Sequence, residues 1–333
     1  MKLKFPKLNA VYWSLLIFIV AQVLVFVTIA HENAFLDSHD IYVPTQPSGG
    51  VTVWPGTVTT TTAVISTTTL PSGQTTETTT IVTTTNEVTG YSSLGPILIY
   101  FFSVVVVLGV ILFLVPLSVL RIILKALFVL LFGWGMFIFL ALWIPLIATI
   151  VIAIIVAIIW FFIPKVWLHN LVMILALVSV GAVFGRLISP WTAMIILGVL
   201  AIYDFLAVRF GYMVWMAKRM SQTTSLPAIV VPYHHSGWNS SLKTSDFVVK
   251  EEPSDRKYSI LGGGDIGFSL LLTSSVFFAS GLVPGIVIAG FTFIGLIGAY
   301  WIQSAFLKGR PMPALPPIAA ASLVGLLITM AVF

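Results

Sequence analysis

The chain has 333 residues, 59% hydrophobic and only 8% charged, and its mean hydropathy is +1.09. No soluble core of this length hides so much apolar surface, so the chain reads as a polytopic membrane protein; the absence of cysteine excludes disulfides, zinc thiolates, iron–sulfur clusters and thiol nucleophiles. A net charge of +5 in such a chain reports topology before nucleic acid, because the placement of Lys and Arg sets which span ends face the cytoplasm.

Lys2, Lys4 and Lys7 precede an apolar run from Asn9 to Ala30, long enough for a hydrocarbon core of about 30 Å. A cleaved signal peptide is the competing reading, since Thr28 and Ala30 make a passable cleavage site, but the run exceeds an ordinary signal core. Residues 1–30 are therefore read as a cytoplasmic tail and the first span. From His31 to Gly95 there is no Lys or Arg, and the stretch from Thr52 to Thr89 is dominated by threonine. With few large apolar side chains to offset ordering, 31–95 reads as a largely flexible extracytoplasmic loop, open to O-glycosylation. A short β-ribbon is the alternative there, because Thr and Val favour strands.

Eight further spans follow. Span 2 covers about 96–120 and closes at Arg121 and Lys125; the apolar run 126–163 folds back near Trp143 and Pro145 into spans 3 and 4. Span 5 covers about 168–186 and span 6 about 190–213, which completes a block at 96–217. A polar cytoplasmic loop at 218–260 leads into 261–333, which holds spans 7, 8 and 9 at about 261–281, 285–306 and 313–333. The expected fold is all-α with nine transmembrane helices. Its amino terminus is cytoplasmic and its carboxyl terminus extracytoplasmic. In that orientation fourteen of the sixteen Lys and Arg residues fall at cytoplasmic ends, and Arg186 and Arg209 lie within spans.

Of eleven carboxylates, nine fall in segments that read as water-exposed, and Asp204 and Asp265 interrupt spans 6 and 7. An ionisable group in hydrocarbon costs several kcal/mol unless a cavity or partner receives it, so each is a candidate functional residue. Asp265 lies eight residues beyond Lys257, roughly 12 Å along a helix, and Asp204 stands about 7.5 Å above Arg209 on an antiparallel neighbour. The matched depths allow the carboxyls to face each other. Two such groups in low dielectric do not both ionise at neutral pH; they share one proton, which sets a general base beside a general acid. The simpler readings are a pairing of Asp204 with Arg209, disfavoured by a turn of about 140° between them, and a capping role for Asp265 after three glycines.

Around the pair stand Tyr203-Asp204 on span 6, Gly262-Gly263-Gly264-Asp265 on span 7 and Pro313-Ala314-Leu315 at the start of span 9. The set resembles the presenilin and signal peptide peptidase family of intramembrane aspartyl proteases, whose hallmarks are Tyr-Asp, Gly-x-Gly-Asp and Pro-Ala-Leu on these helices. The resemblance covers about 96–333. It implies catalytic roles for Asp204 and Asp265, and substrate-site roles for Tyr203, Gly262, Gly264, Pro313, Ala314 and Leu315. It implies no cofactor and no metal, and partners that are transmembrane protein substrates and membrane lipid rather than nucleic acid. Accessory subunits are not evident, and self-association stays open. Span 6 enters from outside and span 7 from the cytoplasm, as in the presenilin branch, so the resemblance implies type I substrates. Short connections point to a prokaryotic, archaeal-type member in the cell membrane.

Other features carry less. The glycines, with Gly267, allow close approach of a backbone or tight helix packing. Pro313 and Pro316 are expected to free carbonyls in a preceding turn. Residues 257–261 have strand character suited to pairing with an unwound substrate, and Leu226 to Pro232 resembles, by position, the presenilin self-cleavage segment or else a surface linker. His234-His235 lacks the spaced partners of a metal site. The rival function is a proton-coupled transporter or cation leak using the two aspartates, though no inverted repeat accompanies them. A prepilin-peptidase-like enzyme shares Gly-x-Gly-Asp but leaves Tyr-Asp and Pro-Ala-Leu without a role.

Overall fold

The computed structural model describes residues 8–38, 56–69, 75–88, scattered positions between 99 and 114, 115–211, 215, 226–242, 257–306 and 312–333. It divides into two compact units, Met1–Ser48 with Leu108–Phe333, and Gly49–Val107. The amino-terminal lysines, Lys218, Arg219, the loop charges from Lys243 to Arg256, Lys308 and Arg310 lie outside the described residues.

In the smaller unit, β1 (Gly56–Thr69) and β2 (Thr75–Val88) pair antiparallel from Gly56↔Val88 to Thr69↔Thr75. The described Thr-rich residues thus form a ribbon where a flexible loop was the main expectation. The strand preference of Thr and Val is the local reason.

The larger unit is a helix assembly: α1 (Leu8–Ser38), α2 (Leu117–Ala141), α3 (Leu146–Phe162), α4 (Val166–Leu187), α5 (Pro190–Arg209), α6 (Gly263–Ser280), α7 (Leu282–Ala305) and α8 (Leu315–Val332). Seven of these are long and apolar enough to cross a membrane, and α3 is a shorter apolar helix. Large apolar side chains such as Ile147, Ile154 and Phe162 on α3, or Leu282, Ile294 and Trp301 on α7, remain exposed on outward faces. Lipid covers such faces in a spanning protein. The expected sixth, seventh and ninth spans are α5, α6 and α8.

Two boundaries differ from expectation. The break before α2 comes at Pro116, not at Arg121 and Lys125, which lie inside α2. Proline has no N–H to continue a helix but is well placed at its start. The Lys125 ammonium meanwhile rests 3.8 Å from the Phe161 ring centroid, so its charge marks no helix end. The second difference is that α1 continues past Ala30 to Ser38, because its last turns are held by Arg186 on α4. Arg186 Nε lies 3.1 Å from Glu32 Oε1, Nη2 donates to Asn33 Oδ1 at 2.7 Å, and the guanidinium stands 4.5 Å from the Phe278 ring. Glu32, counted among the water-exposed acids, is therefore paired on a helix.

The centre is built around α4, whose neighbours include α6, α2 and α1. Small residues make these approaches close. A Cβ on Gly181 would stand 2.9 Å from Leu270 Cβ, and one on Gly185 would run into Ser274. On the far side, α7 and α8 meet where a Cβ on Gly295 would lie 2.5 Å from Ile318 Cα. Dispersion across such contacts, rather than a hydrophobic drive, holds helices together in lipid. Gly185→Ala is expected to lower the melting temperature of the detergent-solubilised protein by overpacking, a cost of about 1–3 kcal/mol. Gly198→Ala, with nothing within 4 Å of the new methyl group, is expected to leave it unchanged or raise it.

Candidate active site

Between α5 and α6 the described chain forms a two-stranded antiparallel sheet of β3 (Ala228–Pro232) and β4 (Tyr258–Gly262), registered from Ala228↔Gly262 to Pro232↔Tyr258. All five residues of β3 are buried, so this segment is neither a surface linker nor a free loop. Because β4 is extended, the depth count that ran a helix from Lys257 to Asp265 does not hold.

Strand β4 ends at Gly262 and α6 begins at Gly263 with no residue between, which places Asp265 in the first turn of the helix. There its carboxylate accepts the Gly262 N–H, the return half of a capping box. Capping is thus a real role of this residue. It also aims the carboxyl group at the junction of strand and helix.

The three glycines have separate uses. A Cβ on Gly262 would stand 2.8 Å from Asp265 Oδ2, so its absence makes room for the carboxylate. A Cβ on Gly263 would run into the Met173 side chain and lie 2.9 Å from the Pro227 carbonyl oxygen, so that glycine serves packing. Gly264 meets nothing nearer than the Phe268 ring at 3.7 Å and opens onto a cavity. Gly267 faces Leu177 on α4.

Asp204 lies on α5, which starts at Pro190 with Ser189 Oγ accepting the Thr192 N–H at 3.2 Å. The residue is only 6% exposed. Its Oδ2 accepts the Leu315 N–H at 3.3 Å, and the Ala314 N–H is directed at the same carboxylate. Both donors belong to the start of α8, where Pro316 and Pro317 follow without N–H groups. Pro316 therefore does not free carbonyls of a preceding helical turn, as was expected of it, and the turn before Pro313 lies outside the described residues. Pro316 and Pro317 occupy a first turn whose N–H groups have no partner within the helix. The donors that remain turn to Asp204.

Asp204 and Asp265 line one cavity of about 320 Å³. Its walls come from the start of β3 and the residues before it, from β4 and the glycine run, from Leu296, Ala299, Tyr300 and Gln303 of α7, and from Met312, Ala314 and Leu315. Of the residues singled out in the sequence, Gly262, Gly264, Ala314 and Leu315 stand on this wall with the two aspartates. Tyr203 does not; it is 41% exposed on α5, and Pro313 is buried but off the wall. The sequence reading passed over Tyr300, which hydrogen-bonds Ser14 on α1, and Gln303. Polar side chains three residues apart in an otherwise apolar span were the available signal. His234 and His235 are exposed, with His235 edge-on to Trp13 at 6.1 Å.

Residues 58–333 match the family described as signal-peptide peptidase, presenilin aspartyl protease. The chain belongs to this family. It is similar to solved structures of a presenilin family intramembrane aspartate protease in two crystal forms. In the C222 form the identity is 16% over 98% of this chain and 100% of that one, with a TM-score of 0.55. In the P2 form it is 17% over 96% of each, with a TM-score of 0.51. At that identity the likeness speaks for the fold. No curated protein matches the chain. As a presenilin-family aspartyl protease with seven apolar candidate spans among the described residues, it is an integral, multi-pass membrane protein.

The glycine geometry separates two substitutions in this family member. Gly262→Ala is expected to displace the Asp265 carboxylate and, with Asp265 in the catalytic role that the resemblance implies, to lower kcat for peptide cleavage by about 10²-fold or more. Gly264→Ala, sterically free in the resting structure, is expected to fold normally and act mainly on KM. Steady-state kinetics on a transmembrane peptide reads both.

Proposed function

We propose that the protein is an intramembrane-cleaving aspartyl endopeptidase whose acid–base pair is Asp204 and Asp265. The observation that carries the reading is the presence of both carboxyl groups on one cavity wall, within a family of aspartyl proteases. In the reactive state the pair holds one proton. The carboxylate removes a proton from water, whose oxygen bonds to the peptide carbonyl carbon, while the protonated partner gives its proton to the carbonyl oxygen. Collapse of the tetrahedral intermediate returns one hydroxyl proton to the carboxylate of the pair and breaks the C–N bond, and the amine leaves with the proton held by the other member, so the pair again holds one proton. The titration belongs to the pair, so neither residue is fixed as base or acid. Water is the only co-reactant.

A helical peptide bond is shielded by its neighbours, so the substrate must be extended at the site. The sheet suits an extended chain. Tyr233 N–H donates to Lys257 O and Gly263 N–H to Pro227 O, both at 3.0 Å, which sets the alternation of the ladder. The N–H and C=O groups of Ile229 and Val231 then face β4, and those of Ile260 face away from β3. Ile260 is 40% exposed and on the cavity wall, so its backbone offers an edge for strand addition. Substrates on this proposal are single-pass proteins with extracytoplasmic amino termini. On the same proposal the chain has nine spans and a cytoplasmic amino terminus, with α3 and the segment before Pro116, helical at its described positions, counted beside the seven long helices.

Asp204→Ala and Asp265→Ala are each expected to abolish cleavage of a reconstituted transmembrane peptide, read by mass spectrometry of the products, without loss of the fold. Persistent products in either variant would refute the reading, and proton flux without products would favour transport. Activity is expected to fall at low pH, where both carboxyls are protonated and no base remains, and at high pH, where both are ionised and no acid remains. A flat profile contradicts the shared proton.

A further inference from the structure

A single strand has two edges, and β3 presents one to β4. Its other edge carries the N–H and C=O of Val230 and the C=O of Ala228, by the same alternation that turns Ile229 and Val231 toward β4. Both of these residues are met by side chains near the start of α4. Asn170 Nδ2 donates to Val230 O at 2.7 Å, and Asn170 Oδ1 accepts the Val230 N–H at 3.0 Å. One side-chain amide thus makes the two hydrogen bonds that a neighbouring strand residue would make. His169 Nε2 lies 3.1 Å from Ala228 O, and His169 Nδ1 accepts the Trp160 indole N–H at 3.3 Å. Since Nδ1 is an acceptor, the ring proton sits on Nε2 and is given to Ala228. At the far end of the same edge Pro232 has no N–H to offer.

The clamp is rigid and dry. His169 is 0% exposed and Asn170 3%, and the imidazole lies in an aromatic box. Phe132 meets His169 edge-on at 5.6 Å and Trp160 at 4.9 Å, and Phe128 stacks on Trp160 at 6.1 Å. Helices α2 and α3 thereby fix the indole, the indole fixes the tautomer of His169, and His169 fixes Ala228. Ala228 is itself on the cavity wall with Asp204 and Asp265.

We infer that His169 and Asn170 are positioning residues that close the outer edge of β3, so that an extended substrate chain pairs only along β4 and in one register against the aspartates. This rests on the endopeptidase reading above. Without the clamp, β3 has a second edge with open hydrogen-bonding groups, and the strand that holds β4 in place is free to shift. A one-residue slip of a paired strand turns every side chain to the opposite face, which here moves a different peptide bond to the pair.

The test compares wild type, Asn170→Ala and Asp265→Ala on one transmembrane peptide, with kcat and KM measured and every product mapped by mass spectrometry. Asn170→Ala is expected to raise KM about tenfold, the effect of losing a buried hydrogen-bonded pair, with a smaller change in kcat and with cuts spread to neighbouring bonds. A merely structural loss would reduce the active fraction at unchanged KM and an unchanged cut. His169→Gln, which keeps an N–H donor, and His169→Phe, which has none, give a second comparison should Asn170→Ala fail to fold. The Gln variant is expected to retain the wild-type cut and the Phe variant to spread it. An active wild type with the same KM and product set in Asn170→Ala, or identical product sets from the two His169 variants, overturns the clamp. An inert wild type, or an active Asp265→Ala, overturns the endopeptidase reading beneath it.

Discussion

Two carboxyl groups share one small cavity in an apolar helix assembly because each lies against a helix amino terminus. Asp265 sits in the first turn of α6 and takes the Gly262 N–H; Asp204 faces the first turn of α8 and takes the Leu315 N–H. The free N–H groups and the dipole at such ends favour negative charge. An ionised group in hydrocarbon costs several kcal/mol, against about 0.3–2 kcal/mol from a helix terminus and about 1.5–3 kcal/mol from each hydrogen bond to a charged group. Those magnitudes suit one charge in the cavity better than two, which is the condition for a pair holding one proton.

Much of the rest of the structure places these two helix starts. The prolines after Leu315 leave α8 with few N–H groups, and the close contact of Gly295 with Ile318 holds α8 against α7. The start of α6 is held from two sides. Strand β4 feeds directly into it, and Gly181 and Gly185 bring α4 against Leu270 and Ser274. The same α4 carries His169 and Asn170 near its start, so one helix both packs on the Asp265 helix and grips the strand that pairs with β4. The loop after β3 is tied to the start of α4 as well, through Val166 N–H to Ser240 O and Leu242 N–H to Pro164 O. Strand, loop and helix therefore form a single support around the cavity.

Signals confined to a few neighbouring residues were legible in the sequence. An acid inside an apolar run is visible without any partner, so Asp204 and Asp265 stood out, as did the helix starts at Pro190 and after Pro313. The turn near Trp143 and Pro145 was legible for the same reason, since α2 ends at Ala141 and α3 begins at Leu146. Features that depend on distant pairing were not. The bond between Arg186 and Asn33 joins residues 153 positions apart, and Val230 and Asn170 are 60 apart, so neither the length of α1 nor the clamp leaves a local pattern. Strand β3 was read as a self-cleavage segment or a surface linker because its partner, β4, lies across a long insertion. Arg121 and Lys125 misled because a cation can rest on an aromatic face within a helix assembly, as the Lys125 ammonium does on Phe161; the missing N–H of Pro116 was the better marker.

The central claim is that the Asp204 and Asp265 side chains address one bound peptide bond from a common cavity. A chain without cysteine allows this to be measured directly, with Asp204→Cys and Asp265→Cys combined and treated with the shortest bifunctional thiol crosslinkers in native membrane. The account expects efficient intramolecular crosslinking of the two thiols. Singly labelled thiols with no crosslink would contradict it.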